Sequence, residues 1–377
     1  QMTRIRPQLM FIFWLILGGC VEPISFEIPP AESLLVVEGY IADSEGPHKL
    51  SLTYASSIEA DSITENPAIG ARVFLLEDGE NVAQYVEVAP GKYEIPEGTI
   101  SGVEGRFYNI ELQTDNGKTY KSVPDQLNGV GTIEQIRTEF ESRTVLTPTG
   151  ETDASVLKVL VDGNIGAKRT EVFTRWKFQV IYEAETFPMN HIVYNPPYDP
   201  LPAPFPCSGF IIEEGPVFSG GLLVQVGECE CCECWARIYE SAPTLSTGEY
   251  IVNGNYANVL VGQVPITSAI FYKKAQIRVD QMSVSRAAYD FYNLLRSQKE
   301  NAQSIFQPAS GEITGNIEAD NVDDRVVGVF YATSVMTSVM MIDSTEVPYP
   351  LPQRTILTLP CAESYPDATY DEPELWE

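Results

Sequence analysis

Short alternating segments separated by turn residues fill the first third of the chain, and they restrict its fold more than any other feature. Between Leu34 and Ser122, apolar and polar residues alternate over a few positions at a time, with Gly, Pro, Asn or Asp between the runs. This alternation is typical of half-buried β-strands joined by tight turns. The segments expected to be strands are Leu34–Ala42, Leu50–Tyr54, Ala71–Leu76, Ala83–Val88, Tyr93–Ile95, Phe107–Thr114 and Thr119–Val123.

The last two segments are joined by Asp115, Asn116, Gly117 and Lys118. Asn-Gly tolerates the positive φ that a tight hairpin turn requires, so the sequence predicts a β-hairpin here. The close and regular spacing of the strands is typical of two packed antiparallel sheets. We therefore expect an immunoglobulin-like β-sandwich over residues 34–124.

The remainder of the chain predicts a larger, mainly β domain over residues 132–377, after a boundary at Pro124–Gly131. The segments expected to be strands include Ile133–Phe140, Ser155–Val161, Glu171–Glu183 and Asp324–Thr333. One helix is predicted from Ser285 to Lys299, because apolar residues recur there at helical spacing. These residues are Ala288, Phe291, Tyr292 and Leu295, and we interpret them as a core-facing side and not as a cofactor site.

The first nineteen residues have the order of features found in an export signal. Arg4 and Arg6 precede the apolar run Leu9–Leu17, which is too short to span a bilayer, and small residues lead to Cys20. This predicts a signal peptide over residues 1–19, cleavage before Cys20, acylation of its thiol and a lipidated tether over residues 20–33. The alternative is a buried helix that happens to precede a cysteine.

The charge is strongly acidic. The chain has 24 Lys and Arg against 52 Asp and Glu, giving a formal charge of −28. Such a surface repels phosphate, so binding to nucleic acid is excluded as a function class. We interpret the acidity as a source of solubility.

Six cysteines follow Cys20, at positions 207, 229, 231, 232, 234 and 361. An even number in an exported chain predicts disulfides, with Cys207, Cys229, Cys231, Cys232, Cys234 and Cys361 as the candidates. The alternative is a Zn²⁺ or Cu⁺ thiolate cluster at Cys-x-Cys-Cys-x-Cys. The oxidising compartment and the absence of a nearby histidine favour disulfides. Six cysteines allow many pairings, so the sequence leaves the connectivity open.

The segment Phe187–Pro206 is rich in proline and carries Tyr194, Tyr198 and Phe205. Proline cannot donate to a sheet ladder, so this segment is expected to be an extended surface loop. Its aromatic side chains are candidates for a partner-binding surface. The favoured interpretation is a loop that covers the sheet.

No motif of a known catalytic site is present, and the only histidines are His48 and His191. The chain is therefore expected not to be an enzyme and to bind no cofactor. Asp320, Asp323 and Asp324 offer oxygens to Ca²⁺ but lack the spacing of an EF-hand, so a solvated turn is favoured.

Several separated segments resemble one family, the lipoproteins of Bacteroidota that are grouped as domain of unknown function 4249. The matching pieces follow the family's order along the mature chain. They are Cys20-Val21-Glu22-Pro23, Leu35-Val36-Val37-Glu38-Gly39, Gly91-Lys92-Tyr93, Tyr108, Asn116 to Tyr120, Arg175-Trp176-Lys177-Phe178, Cys234-Trp235, Ser283 to Tyr289, Gly315-Asn316-Ile317, Val327 to Phe330, and Cys361 with Pro373 to Trp376.

The resemblance implies a lipoprotein anchored in the outer membrane by its acyl group, displayed on the cell surface or, as the alternative, on the periplasmic face. It also implies an accessory role beside a TonB-dependent receptor, as a binding or assembly subunit. A free-standing adhesin or structural envelope lipoprotein is the competing hypothesis. A thiolate metal carrier is a third, and it depends on the cysteine cluster alone.

Overall fold

The computed structural model describes residues 34–55, 66–147, 150–166, 173–194, 200–213, 221–247, 251–301, 315–351 and 353–376. Most of these residues lie in strands, which confirms the mainly β prediction. Among them, no helix combines the length and apolar character needed to cross a membrane.

The strands are numbered along the chain. The first eleven are β1 (Leu35–Ala42), β2 (His48–Tyr54), β3 (Asn66–Pro67), β4 (Arg72–Glu77), β5 (Glu80–Ala89), β6 (Lys92–Ile95), β7 (Phe107–Gln113), β8 (Thr119–Ser122), β9 (Asp125–Gln126), β10 (Ile133–Thr147) and β11 (Gly150–Asn164). The next are β12 (Phe173–Glu185), β13 (Ile192–Val193), β14 (Leu201–Pro202), β15 (Phe210–Glu213), β16 (Leu222–Gln225), β17 (Glu233–Tyr239), β18 (Thr244–Leu245), β19 (Ile251–Val252), β20 (Asn255–Pro265), β21 (Lys274–Val284), β22 (Ile317–Ala319), β23 (Val326–Thr333) and β24 (Val335–Asp343).

Helices are few in the described residues. The α-helices are α1 (Arg286–Asn301) and the short α2 (Cys361–Ser364). Three 3-10 turns lie at Pro188–Asn190, Pro206–Ser208 and Ser344–Glu346. The helix predicted from its apolar spacing is confirmed as α1, which begins one residue later than expected and continues two residues further.

The first unit is a nearly closed, barrel-like sheet. Its strands follow the order β22-β8-β7-β4-β5-β6-β2-β1-β23, with β3 and β9 added at β2 and β7. Alternate side chains point inward and form one core, because side chains in a strand alternate between the two faces. The largest fully buried members are Tyr85, Tyr93, Tyr108, Phe330, Leu35, Ile41, Leu50 and Leu52.

A seam between the two ends of this sheet is bridged by Asn316. Its side-chain amide donates to the Phe330 carbonyl oxygen at 2.6 Å, and its amide oxygen accepts the Phe330 N–H at 3.0 Å. On strand β23, Gly328 has φ +136° and lies close to strand β1. A Cβ at this position would be 1.9 Å from the Val37 carbonyl oxygen. Only glycine fits this approach.

The continuous course of this sheet differs from the expected sandwich. Strand β5 pairs with β4 on one side and with β6 on the other, so the strands follow one curved sheet and an immunoglobulin-like pair of facing sheets is not shown. The hairpin at Asp115–Lys118 is confirmed, with Gln113 opposite Thr119 and Gly117 at φ +85°. Strands β22 and β23 come from the region expected to form the second domain, yet they pair with β8 and β1.

The second unit consists of two sheets that share a core. One sheet has the order β10-β11-β20-β19, and the other has the order β17-β12-β21-β24 with β18 beside β12. Buried side chains from both sheets meet in this core, including Trp176, Phe178, Val159, Val261 and Val279. Apolar contact between the two faces therefore holds the sheets together.

Helix α1 fills the joint between the units. Its buried residues Ala288, Phe291 and Tyr292 pack with Val329 and Tyr331 of β23. The chain passes from β23 of the first unit directly into β24 of the second. The two units are thus connected through a shared apolar cluster and a continuous length of chain.

Candidate functional site

Between β12 and β17 the chain forms two small hairpins outside the two sheets of the second unit, and we call the described residues of 186–234 the cysteine lobe. All six cysteines of the described residues pair in or beside it, as Cys207–Cys231, Cys229–Cys232 and Cys234–Cys361. Neighbouring Cys231 and Cys232 are bonded to different cysteines, Cys207 and Cys229. The sulfurs that a thiolate metal cluster needs are therefore engaged in disulfides in this structure.

The lobe is fixed to the body at its base. Cys234 and Cys361 are fully buried and belong to the core of the two-sheet unit. The Cys361 N–H donates to the Cys231 carbonyl oxygen at 2.9 Å, and the Thr186 N–H donates to the Cys232 carbonyl oxygen at 2.7 Å. These contacts attach the base of the cysteine lobe rigidly to the second unit.

Ion pairs surround the same base. Burial alone lowers the pKa of Lys273, but hydrogen bonds and charge from Glu183 and Glu233 outweigh it and raise the pKa. Lys273 Nζ lies 3.1 Å from Glu233 Oε1 and also contacts Glu183. Arg354 donates to Glu185 Oε2 at 2.6 Å. The positive charges next to the lobe are thus already paired with carboxylates of the second unit and the lobe.

The first hairpin of the lobe is built by β13 and β14, where Val193 pairs with Leu201. Tyr194 follows it with 76% of its side chain exposed. Phe205 is only half-buried and its ring centroid lies 4.8 Å from that of His191. Of the aromatic residues predicted to face a partner, Tyr194 is thus displayed, while Phe205 packs within the lobe.

The second hairpin of the lobe is built by β15 and β16, where Ile211 pairs with Val224 and Ile212 with Leu223. Its apolar side chains are unusually exposed for a small ribbon. Across the lobe, the exposed large apolar residues are Ile192, Val193, Tyr194, Leu201, Ile211, Leu222, Leu223 and Val226. A group of exposed apolar side chains within one lobe indicates an interaction surface.

The β15–β16 hairpin was not among the elements predicted from the sequence. Two apolar runs, Phe210–Ile212 and Leu222–Val224, are separated by a segment with Gly215, Pro216 and Gly220-Gly221, which is a hairpin signal. The pairing of these two runs could therefore have been predicted from the sequence, whereas the exposure of their side chains could not.

Two further predicted residues, Cys20 and Tyr198, lie outside the described residues, so their roles stay predictions. The aspartates weighed as Ca²⁺ ligands have protein partners: Asp320 accepts from Thr119 Oγ1 at 2.6 Å, and Asp324 pairs with Lys118. In the described ranges, no three His, Cys, Asp or Glu side chains are grouped to hold a metal.

Of the two histidines, His48 is buried in the first unit and His191 lies in the lobe. Burial is the largest influence on His48 and lowers its pKa, although its Nε2 lies 2.9 Å from the Ile100 carbonyl oxygen. A histidine held in this way supports the packing of the first sheet and is far in the fold from the cysteine lobe.

Comparison with known families identifies the class of this chain. It belongs to the family described as Domain of unknown function (DUF4249), whose model matches residues 21–338. The resemblance seen in the separated sequence pieces is therefore confirmed at the level of the family. No curated protein matches the sequence.

Proposed function

We propose that this chain is a non-enzymatic accessory protein of the bacterial outer membrane, anchored by acyl chains on Cys20. In this proposal it is a binding or assembly subunit beside a TonB-dependent receptor, in the Bacteroidota, and it is displayed on the cell surface. The observation that carries the proposal is the cysteine lobe, which combines three disulfides with a group of exposed apolar side chains.

Two lines of reasoning support export and anchoring. Disulfides persist in oxidising compartments outside the cytoplasm, so a lobe that depends on three of them suits an exported protein. The order of basic residues, apolar run, Gly18-Gly19 and Cys20 is typical of a lipoprotein signal. A single acyl chain binds a membrane only weakly, so we expect more than one chain on the anchor.

The anchor is tested by metabolic labelling of cells with a clickable fatty acid. The wild-type chain should carry the label and sediment with the outer membrane, whereas Cys20→Ala should lose both properties. Cys229→Ala with Cys232→Ala is the matched control, because it also removes cysteines, here as the disulfide that they form, but leaves the proposed anchor. Equal labelling of Cys20→Ala and the wild type would contradict the proposal.

The partnership is tested by purifying the tagged chain from native outer membranes in mild detergent. A TonB-dependent receptor in near-stoichiometric amount should accompany it and should be identified by mass spectrometry. Isolation of the chain by itself, under conditions that preserve other outer-membrane complexes, would contradict a receptor subunit.

Exposure of Tyr194 gives the competing function a specific basis. Tyrosine is enriched at binding interfaces, so a free-standing adhesin or structural lipoprotein that contacts glycan or another cell also accounts for the exposed ring. Tyr194→Ala should then abolish cell or glycan adhesion and leave receptor association unchanged. The two functions are separated by which of these properties the substitution removes.

A further inference from the structure

We propose that the β15–β16 hairpin of the cysteine lobe binds an extended segment of a partner protein in which apolar side chains are interspersed with Lys or Arg. This inference rests on the proposed function, because it describes the chemistry of the partner that a binding or assembly subunit contacts. It adds the surface used, the form of the partner segment and the reason for its charge.

The hairpin has unpaired edges. Within the described residues, β15 and β16 pair only with each other, so the outer edge of each strand offers backbone N–H and C=O groups to another strand. An isolated two-stranded ribbon is at best marginally stable in water, and an exposed apolar edge promotes association. A partner strand added to the edge pairs the free backbone groups and stabilises the ribbon.

Both faces of the hairpin are apolar. Ile211 and Leu222 on one face are 45% and 65% exposed, and Leu223 on the other face is 36% exposed. A ribbon that served only to cover the sheet would have one buried and one polar face. Exposure on both sides instead leaves apolar area that the side chains of an added partner strand can cover.

Charge defines the partner more closely. No lysine or arginine occurs between Lys177 and Arg237, so the whole lobe segment lacks basic residues. Glu213 lies at the end of β15, and Glu228 and Glu230 lie at the base of the hairpin, all exposed. The backbone there is close-packed, since a Cβ on Gly209, at φ +71°, would be 2.6 Å from the Glu228 carbonyl oxygen. Basic side chains of a partner therefore meet a rim of exposed carboxylates.

The same charge argues against a lipid surface as the occupant. Anionic headgroups repel an acidic rim, and peripheral insertion of apolar side chains usually relies on basic residues around them. A polypeptide supplies both the apolar contacts and the positive charge. It also supplies the backbone groups that the free edges lack.

The test uses the full-length tagged chain in its native cells, with a photo-crosslinking amino acid at Leu222. The matched control carries it at Val86, which is 55% exposed on β5 and lies in the first unit. We expect a discrete protein crosslink from position 222 and none from position 86. Mass spectrometry of the crosslinked peptide should show apolar residues with Lys or Arg beside them.

Charge dependence is measured with Glu228→Lys combined with Glu230→Lys. The yield of the crosslink should fall about three- to tenfold, as for rim charges at other interfaces. Thermal unfolding checks that this variant folds as the wild type does. An unchanged yield, a lipid adduct, a crosslink to a second copy of this chain, or no product from position 222 would each overturn the inference.

Failure of this inference is distinguishable from failure of the proposed function. If Leu222→Asp retains the receptor as fully as Val86→Asp does, the receptor role stands and the hairpin is not the contact. If no receptor is purified but position 222 crosslinks a basic, apolar segment of another protein in a charge-dependent manner, the inference stands and the receptor role fails.

Discussion

At the scale of single residues, buried charged groups are concentrated where the two units meet. Asp125 is 8% exposed and accepts the Ala332 N–H at 3.1 Å. Arg175 is 7% exposed, pairs with Glu240 and has its guanidinium 3.9 Å from the centre of the Tyr292 ring. Such groups are stable in the interior only with partners, so they fix the geometry of the joint.

Desolvation raises the pKa of Asp125 to about 6, and the hydrogen bond from Ala332 opposes that rise only in part. A carboxyl whose pKa is higher in the folded than in the unfolded chain favours folding below its unfolded pKa, and that contribution is lost as pH rises through 6. Asp125→Asn keeps an acceptor for Ala332 but does not ionise. Relative to the wild type, the variant should therefore gain up to about 3 kcal/mol of unfolding free energy between pH 4 and pH 8.

Urea denaturation at several pH values measures this difference. Asp371→Asn, at an exposed aspartate, is the control and should follow the wild type across the same range. If the difference in unfolding free energy between Asp125→Asn and the wild type did not change with pH, the pKa of this carboxyl would not be raised by folding.

At the scale of elements, β10 and β11 extend well past their own sheet. Strand β20 pairs with β11 only from Val156 to Asn164, while β10 and β11 continue to pair as far as Thr147 and Gly150. Among the described residues, no third strand pairs with the outer part of this ribbon. It contributes length to the molecule and little to the sandwich core.

Replacement of residues 144–153 by Asn-Gly should leave the fold intact, because Arg143 and Ala154 are directly paired and a two-residue turn can join them. The unfolding free energy should change by less than about 1 kcal/mol. A deeper replacement, of residues 140–157, removes the buried Leu157 and should unfold the second unit. Comparable losses from both truncations would show that the outer ribbon packs on the body.

Sequence alone predicted helix α1 and most strands of the first unit, because strand and helix patterns are local, but it missed the long β20, β21 and β24. Strand β12 was expected to end at Glu183 and ends at Glu185, and helix α1 was placed within two residues of its bounds. Closure of the first sheet was not predicted, because the residues that meet there are far apart in the chain. Gly315-Asn316-Ile317 and Gly328 belonged to the family resemblance, but only their meeting at the seam explains the residue types.

The candidate site was predictable only in part, for a similar physical reason. The count of cysteines indicated disulfides, whereas their pairing depends on which backbones approach each other in space. Tyr194 could be named from its proline-rich surroundings. Exposure of Leu222 could not, because an apolar residue in a strand is normally expected to be buried.

At the scale of the whole molecule, the three disulfides close loops of very different length. Cys234–Cys361 spans 127 positions, whereas Cys229–Cys232 spans 3. A crosslink restricts the unfolded chain more when it closes a longer loop. Replacing Cys234 and Cys361 by Ala should lower the unfolding free energy by about 5 kcal/mol, against about 2 kcal/mol for Cys229 and Cys232.

The comparison is made by denaturation under non-reducing conditions, with thiol titration to verify that the remaining cysteines stay paired. Complete reduction of the three disulfides should bring the wild type to the stability of the least stable variant or below it. Equal losses from the two double substitutions would show that local packing of the lobe, and not loop closure, dominates the effect of these bonds.

The parallel pairing of β1 with β23 also determines when the protein can fold during its synthesis. A ribosome releases β1 first, but the strand that covers its outer edge is not available until Thr333 has emerged. For most of translation, the leading part of the chain therefore has an open edge that can associate with other nascent chains. Products that stop before residue 315 lack both β22 and β23. Such fragments are expected to be cleared or to aggregate, so folding of the first unit depends on nearly complete synthesis.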